Sequence, residues 1–368
     1  MSWFSINNID TLDSPALVVY PDRVRQNIQT AIEMTGDVNR LRPHVKTHKT
    51  IQASELMLNA GIRKFKCATI AEAEMLALAG APDVLLAYQP VGPKLIRFIY
   101  LLKQYPETLF SCLTDNEYSA GEMADAFSTA DIKVSVYLDL NIGMNRTGIT
   151  PGVDAVRLYE WCSKLNGINL VGLHAYDGHQ RNPDISQRTR ETDKDFRAVE
   201  DLRDTLMNAG LPSPILIAGG SPSFPVHAQK TDRECSPGTF VFWDHGYSIV
   251  CPEQAFFPAA LVITRVISLP TSSRITVDLG HKSIAAENDI ERRVYFLNAP
   301  DLKPVGQSEE HLVMDAGENH SYKIGDVFYG LPYHICPTVA LYERAYTIEN
   351  GLINGEWKIV ARDRKLSL

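Results

Sequence analysis

The sequence has no long hydrophobic run, which excludes a membrane-spanning helix. None of its apolar stretches approaches the roughly 20 consecutive residues that cross a bilayer. The first ten residues are polar and mixed, without the basic and then apolar regions of a secretory signal. We therefore expect no membrane partner and a cytoplasmic location.

Cysteine and positive charge are also scarce. Six cysteines scattered through 368 residues do not resemble the dense framework of a disulfide-rich secreted protein. The formal net charge is -8, whereas nucleic-acid binding needs a basic surface, so nucleic acid is excluded as a partner. Hydrophobic residues make up 45% of the chain and charged residues 22%, as in ordinary globular proteins.

What is present is an alternation of short apolar strands and longer amphipathic helices. After a first strand at 14–20 and a helix at 22–33, strands are predicted at 41–47, 65–69, 84–88, 109–113, 134–140, 170–175, 215–218 and 238–242. Helices between them are predicted at 70–79, 94–104, 116–127, 153–164 and 188–209. This α/β pattern predicts a (β/α)8 TIM-type barrel, with a doubly wound open sheet as the alternative.

The pattern changes near residue 256, where helical periodicity gives way to short β-rich runs. These runs are predicted strands at 260–268, 274–278, 293–297, 311–315, 327–331 and 357–361. We expect a barrel domain over residues 14–250 and a smaller C-terminal β domain over 251–368. In an alternative division, residues 1–20 pack with the β domain.

A basic cluster occupies residues 42–49, Arg-Pro-His-Val-Lys-Thr-His-Lys, which we place at the end of the first barrel strand. Chemistry in such barrels occurs at the C-terminal ends of the strands. A lysine buried there beside other cations has a lowered pKa, and its neutral amine suits a Schiff base. A basic strand end that faces solvent is the alternative.

Two glycine-containing segments contain candidate anion-binding residues. In 143–148, Gly-Met-Asn-Arg-Thr-Gly, flanking glycines let the backbone turn and hold the permanently charged Arg146 over the barrel mouth. Gly219, Gly220 and Ser221 follow the seventh strand, where barrels commonly bind phosphate, and such a turn exposes backbone N–H groups and hydroxyls. An ordinary loop and a common Gly-Gly turn are the alternatives.

A polar cluster, His-Ala-Tyr-Asp-Gly-His, lies at 174–179, at the end of the sixth strand. Tyr176 is placed to contact a ring or a substrate. His174 and Asp177 would not share a face of an extended strand, so we expect hydrogen-bonding roles for them rather than metal binding.

A possible metal pair lies late in the β domain, within His-Ile-Cys-Pro-Thr at 334–338. In an extended segment His334 and Cys336 would point to the same side. An imidazole with a thiolate suits Zn²⁺, and water or substrate would complete the shell. A buried cysteine beside a structural histidine is the alternative.

Together these motifs resemble the D-serine dehydratase and D-threonine aldolase group, which are fold-type III pyridoxal-phosphate (PLP) enzymes related to alanine racemase. The similarity covers nearly the whole chain. It is most specific in five segments that occur in the family's order: 42–49, 143–148, 174–179, 219–223 and 334–338.

The resemblance implies a cofactor site. The residues assigned to it are His44, Lys46, Arg146, Tyr176, Gly219, Gly220 and Ser221. Lys46 would carry the cofactor as a Schiff base, with Lys49 as the alternative lysine. Arg146 would bond the cofactor's phenolic oxygen, Tyr176 would lie beside the ring or substrate, and the Gly-Gly-Ser turn would hold the phosphate.

The resemblance also implies a metal-dependent lyase, most simply a homodimer, acting on D-configured β-hydroxy amino acids. His334 and Cys336 would bind the metal, and the thiolate favours Zn²⁺ over Mn²⁺ or Mg²⁺. Dehydratases of this group carry His-x-Cys and aldolases tend to carry His-x-Asp, so we expect a dehydratase that forms a 2-oxo acid and ammonia. A D-threonine aldolase, a racemase and a non-catalytic PLP-binding protein are the alternatives.

Overall fold

A computed structural model describes residues 2–368 and divides the chain into two compact units. The β unit comprises the residues up to Gln29 together with Thr47–Ala53 and Thr239–Arg362. The barrel unit comprises Thr30–Lys46, Ser54–Gly238 and Asp363–Leu368. Within residues 2–368 no helix is both long enough and apolar enough to cross a membrane.

The helices and strands follow one another in the order of the chain. The helices are α1 (Pro21–Thr35), α2 (Ile51–Asn59), α3 (Ile70–Leu78), α4 (Pro93–Gln104), α5 (Glu117–Thr129), α6 (Val153–Cys162), α7 (Ile185–Asn208), α8 (Phe224–Ala228), α9 (His245–Val250) and α10 (Ile335–Val339). The first eight strands are β1 (Ala16–Val19), β2 (Lys64–Cys67), β3 (Asp83–Leu86), β4 (Leu109–Thr114), β5 (Val134–Leu140), β6 (Ile168–Ala175), β7 (Ile215–Ala218) and β8 (Glu234–Cys235). The later strands are β9 (Ala260–Thr271), β10 (Arg274–Val277), β11 (Val294–Phe296), β12 (Lys303–Gln307), β13 (Leu312–Asp315), β14 (Val327–Pro332), β15 (Arg344–Glu349) and β16 (Leu352–Lys358).

The barrel unit contains seven parallel strands, β2 to β8, each paired with the next. Single bridges link the two ends of this sheet, from Leu41 to Cys235 and from His44 to Lys66. Residues 41–44 therefore occupy the first position of the ring, and β2 to β8 occupy the second to the eighth. The predicted α/β barrel followed by a β-rich region is confirmed.

Two predicted barrel strands are wrong in detail. The strand at 41–47 is reduced to the two bridges, because Pro43 cannot donate to a ladder and residues Val45–Thr47 turn into a 3-10 helix. The strand at 238–242 is a buried 3-10 turn, Thr239–Val241, and the true eighth strand is β8. A short apolar run does not by itself distinguish a strand from a buried helical turn.

Side chains rather than a pore fill the barrel. Leu85, Leu113, Tyr137 and Ile217, from four strands, form a buried cluster inside it. A charged network also lies in this unit, in which the buried Arg42 guanidinium donates to Glu234 and Asp83 at 2.6 Å each, and Lys64 pairs with Glu234. Burial lowers the pKa of Arg42, but the two carboxylates outweigh it and raise the pKa.

The β unit is built on one sheet with the path β12-β13-β10-β9-β1-β15-β16, and β14 pairs with both β9 and β11. The strand β1 runs antiparallel to β9 and parallel to β15. Its core consists of buried apolar residues from these strands and the chain start: Ile6, Leu12, Ala16, Val18, Tyr20, Leu261, Ile263, Leu331 and Ile348. The strand predicted at 357–361 is wrong in its second half, because β16 ends at Lys358 and Val360–Arg362 form a 3-10 turn.

Candidate active site

Three basic side chains surround the ring of Tyr176, which directly follows β6. The Arg146 guanidinium carbon lies 4.9 Å from the ring centroid. The Nζ atoms of Lys46 and Lys66 lie 5.7 Å and 5.8 Å from it. These residues come from the C-terminal ends of strands or the loops after them, where (β/α)8 barrels place their active sites. The arrangement suits an anionic ligand with a flat ring.

Lys46 lies in the middle of the 3-10 turn Val45–Thr47, not at the end of a strand as predicted. Its backbone N–H donates to Nδ1 of His44 at 3.2 Å, and the His44 N–H donates to the carbonyl of Pro237 at 2.9 Å. His44 therefore shapes the turn that presents Lys46. Lys49 belongs to the β unit, where its Nζ donates to the carbonyl of Ala361 at 3.5 Å.

A chain of hydrogen bonds that the sequence analysis missed crosses the barrel. Nδ1 of His174 lies 2.7 Å from Oδ1 of Asp139, and Nε2 of His174 lies 3.4 Å from Nζ of Lys66. All three side chains are buried. Burial and the charge of Lys46 lower the pKa of Lys66 to about 7, although Asp177 and Asp139 oppose the change. Two amines, rather than one, therefore border Tyr176.

The turn after β7 is shaped by close contacts. Gly219 has φ +77°, and a Cβ atom there would lie 2.7 Å from Cδ2 of His227. The Gly219 N–H donates to the carbonyl of Ala175 and the Gly220 N–H donates to Oγ of Ser223. The expectation that these two N–H groups are free is wrong, because the turn uses them internally. The two glycines provide close backbone approach instead.

A buried carboxylate supports this turn. Asp177 accepts hydrogen bonds from Oγ of Ser223 at 2.6 Å and from Nε2 of His227 at 2.7 Å. Burial raises the pKa of Asp177. The charge of His227 and the hydrogen bonds from His227 and Ser223 outweigh this effect, so the pKa is lowered. The hydrogen-bonding roles predicted for His174 and Asp177 are confirmed.

The Tyr176 ring is held between two glycines. A Cβ atom at Gly178 would lie 2.2 Å from the Tyr176 hydroxyl oxygen, and one at Gly220 would lie 2.9 Å from its Cε2. Ser221 lies on the same turn, and its Oγ accepts from the backbone N–H of Gly238 at 3.3 Å. The absence of side chains at both glycines therefore leaves the space that the ring occupies.

In the β unit, His334 and Cys336 lie at the start of α10 rather than in an extended segment. His334 is the N-cap residue and Cys336 lies in the first turn. Proline at position 337 favours this helix start, because its missing N–H is not needed in the first turn. The Cys336 sulfur contacts Oγ1 of Thr47 at 3.1 Å and Oγ1 of Thr239 at 3.7 Å.

The imidazole and the thiol nevertheless interact. Burial lowers the pKa of His334, but a hydrogen bond and charge from Cys336, with help from Glu287, outweigh it and raise the pKa to about 9. Nδ1 of His334 bonds to the Glu287 carboxylate, which leaves Nε2 for another partner. In the described part of the chain, no group of three or more His, Cys, Asp or Glu side chains is arranged to hold a metal.

Comparison with known proteins agrees with this architecture. Residues 19–245, more than half of the chain, match the family "Alanine racemase, N-terminal domain", and residues 259–348 match the family "Putative serine dehydratase domain". The chain is 25% identical over 362 residues to D-threonine aldolase from Arthrobacter sp., covering 95% of this chain and 93% of that one. It is 23% identical over 382 residues to D-serine dehydratase from Dictyostelium discoideum, covering 94% and 95%.

The fold is also that of a solved relative. The crystal structure of D-threonine aldolase from Filomicrobium marinum superposes with a TM-score of 0.88 at 25% identity, over 98% of each chain. Both family matches, the two full-length relatives and this structure lead to one assignment. The chain belongs to the alanine racemase N-terminal domain family, within the fold-type III PLP enzymes that include D-serine dehydratase and D-threonine aldolase.

Proposed function

We propose that this protein is a PLP- and divalent-metal-dependent lyase of D-β-hydroxy amino acids, and specifically a dehydratase that forms a 2-oxo acid and ammonia. The observation that carries the choice of dehydratase is the thiol of Cys336 two residues after His334, where the resemblance implies cysteine in dehydratases and aspartate in aldolases. D-Serine and D-threonine are the proposed substrates. The resemblance further supports a homodimer, and the scattered cysteines support a cytoplasmic location.

The residues around Tyr176 fit PLP, which is an aromatic aldehyde with a phosphate group. Lys46 offers an amine for the aldehyde, and Arg146 offers a permanent positive charge for an anionic oxygen. The Gly219–Ser221 turn offers backbone without side chains and the Ser221 hydroxyl for the phosphate. When bound, PLP supplies an electron sink for charge that develops at the substrate Cα.

The chain's own residues would bind the substrate and move its protons. Lys46 would hold the cofactor and, once displaced by the amino acid, would use its free amine to remove the Cα proton. Arg146 cannot act as an acid, since a guanidinium keeps its proton, so its role would be charge stabilisation. His44 would orient Lys46 through the hydrogen bond to the Lys46 N–H.

The residues at the start of α10 fit a divalent metal. Imidazole and thiolate form a borderline-soft donor set that suits Zn²⁺ better than Mn²⁺ or Mg²⁺. Glu287 bonds to Nδ1 of His334, as a carboxylate commonly does to a metal-binding histidine. With two protein ligands, water or substrate would complete the shell, and the metal would supply Lewis-acid polarisation of a hydroxyl group.

A D-threonine aldolase is the second candidate, because the Arthrobacter relative and the Filomicrobium structure are both D-threonine aldolases. In that reaction a base removes the hydroxyl proton and the Cα–Cβ bond breaks to give glycine and an aldehyde. The choice depends on which bond of the bound substrate the side chains of the site position for cleavage. Racemisation is disfavoured, because it has no leaving group for the metal pair to polarise.

Ammonia release from D-serine tests the proposal. We expect turnover of D-serine, but not of L-serine, by protein supplied with PLP and Zn²⁺. Lys46→Ala should lose both turnover and the visible absorbance of bound cofactor that borohydride abolishes. Lys49→Ala is the matched control and should keep both. A Lys46→Ala protein that retains the borohydride-sensitive band would refute the assignment of Lys46.

A further inference from the structure

Lys66 is a second buried lysine beside Tyr176, and the roles proposed above do not use it. It lies in β2 and is 2% exposed. Its Nζ is 3.4 Å from Nε2 of His174 and 5.8 Å from the centroid of the Tyr176 ring. Lys46 lies at 5.7 Å from the same centroid. Two amines therefore border the ring at which the cofactor is proposed to bind.

The neighbours of Lys66 determine which of its hydrogen bonds are used. Nδ1 of His174 is engaged with Asp139 at 2.7 Å, so the neutral imidazole presents Nε2 as an acceptor. Nε2 accepts a hydrogen bond from one N–H of the Lys66 amine. The other N–H and the lone pair of Nζ are then available to other partners. A neutral Lys66 thus keeps its bond to His174 and still has a lone pair that can accept a proton.

The surroundings of Lys66 differ from those of a structural buried cation. Arg42, in the same unit, contacts carboxylate oxygens of Glu234 and Asp83 at 2.6 Å. Within residues 2–368, no carboxylate oxygen lies within 4.0 Å of Nζ of Lys66, and its bonding partner is an imidazole. A buried amine without a paired carboxylate lowers stability unless it is neutral. A functional role explains its presence.

We propose that Lys66 is a second acid–base residue of the active site, which takes up and returns a proton at Nζ while Asp139 and His174 hold the amine beside Tyr176. This inference rests on the proposed function, because it requires the cofactor site at Tyr176. The lone pair of the neutral amine forms one N–H bond to a proton of the bound substrate, whose own bond to that proton breaks, and the ammonium ion results. The same bond breaks when the proton is returned, so no other reagent is needed.

Burial and the charged groups around Lys66 together set the pKa of its amine near neutral pH. The titratable and charged side chains that face it are Lys46, Arg42, Asp139, Asp177, His174 and Tyr176. Burial, followed by the charge of Lys46, lowers the pKa of Lys66 to about 7. Burial also lowers the pKa of His174, which Asp139 opposes, so the imidazole stays an acceptor for Lys66.

The test compares Lys66→Met with Lys64→Met, a matched control on the same strand whose lysine pairs with Glu234. Cofactor-free protein labelled with ¹³C at lysine Cε is titrated by NMR. We expect one resonance with a midpoint near pH 7 in the wild type and in Lys64→Met, and its loss in Lys66→Met. With PLP and Zn²⁺, Lys66→Met should keep the borohydride-sensitive band but lose about 10²–10⁴-fold in kcat/KM for D-serine.

The outcomes separate this inference from the proposed function. Normal kcat/KM and an unchanged pH profile in Lys66→Met would overturn this inference but leave the proposed function in place. A wild-type protein that takes up no cofactor would overturn both. If Lys66→Met does not fold, Asp139→Asn provides the second test. Because Asp139 raises the pKa of Lys66, its neutralisation should lower the midpoint of the Lys66 resonance, and an unmoved midpoint would contradict the inference.

Discussion

We expect Asp177→Asn to lower the stability of the barrel unit. Asp177 is buried and accepts hydrogen bonds from Ser223 and His227 at 2.6 Å and 2.7 Å. Asparagine has the same shape but no charge. Its NH2 group would replace one of the two accepting oxygens and would face the donor of Ser223 or His227. Removing one partner of a buried charged pair costs about 3–5 kcal/mol.

Urea unfolding of the cofactor-free protein measures this loss. Asp193→Asn is the matched control, because Asp193 pairs with Lys230 at 3.3 Å and both side chains are about 40% exposed. Such an exposed pair is worth less than about 1 kcal/mol. Equal free energies of unfolding for the two variants would refute the reasoning. Because Asp177 also anchors Ser223, which accepts from the Gly220 N–H, we expect weaker PLP binding in Asp177→Asn as well.

Three further predictions follow from the same contacts. Gly220→Ala should displace the Tyr176 ring, since the new Cβ would lie 2.9 Å from Cε2 of the ring. We expect PLP binding, measured by fluorescence titration, to weaken at least about tenfold, and a change below twofold would contradict this. Chelation of the metal, or Cys336→Ala, should abolish turnover but leave the absorbance of bound PLP unchanged, and loss of that absorbance would show that the two sites are not independent. The pKa of Lys66 is lowered from 10.5 to about 7, so the unfolded state binds more protons between these values and stability should rise with pH across this window. Lys66→Met should flatten that rise in urea unfolding measured at pH 7 and pH 9, and an unchanged slope would count against the lowered pKa.

Most of the barrel could be predicted because its hydrophobic periodicity is local. The strands β5 and β7 begin and end as predicted, since mostly apolar runs bounded by turns are typical of parallel strands buried on both faces. The bounds of the first and eighth barrel strands were predicted wrongly, because pairing with distant strands determines them. Residues 41–44 join the ring through only two bridges, and β8 has two residues, too few for any periodic signal.

Other elements had a signal that was available in the sequence. The hairpin of β15 and β16 turns at Asn350-Gly351, where both residues have positive φ, and Asn-Gly between β-rich runs is a strong hairpin signal. In contrast, no sequence pattern identifies Lys66 as an active-site residue. Its position follows from the bridge to His44 and the bond to His174, contacts between residues 22 and 108 positions apart.

The identity of the products from D-threonine tests the central claim most directly. The purified protein, supplied with PLP and Zn²⁺, is incubated with D-threonine and the products are analysed by mass spectrometry. We predict 2-oxobutyrate and ammonia, formed in equal amounts. Glycine and acetaldehyde would contradict the dehydratase assignment and make the protein an aldolase, despite the thiol of Cys336 beside His334.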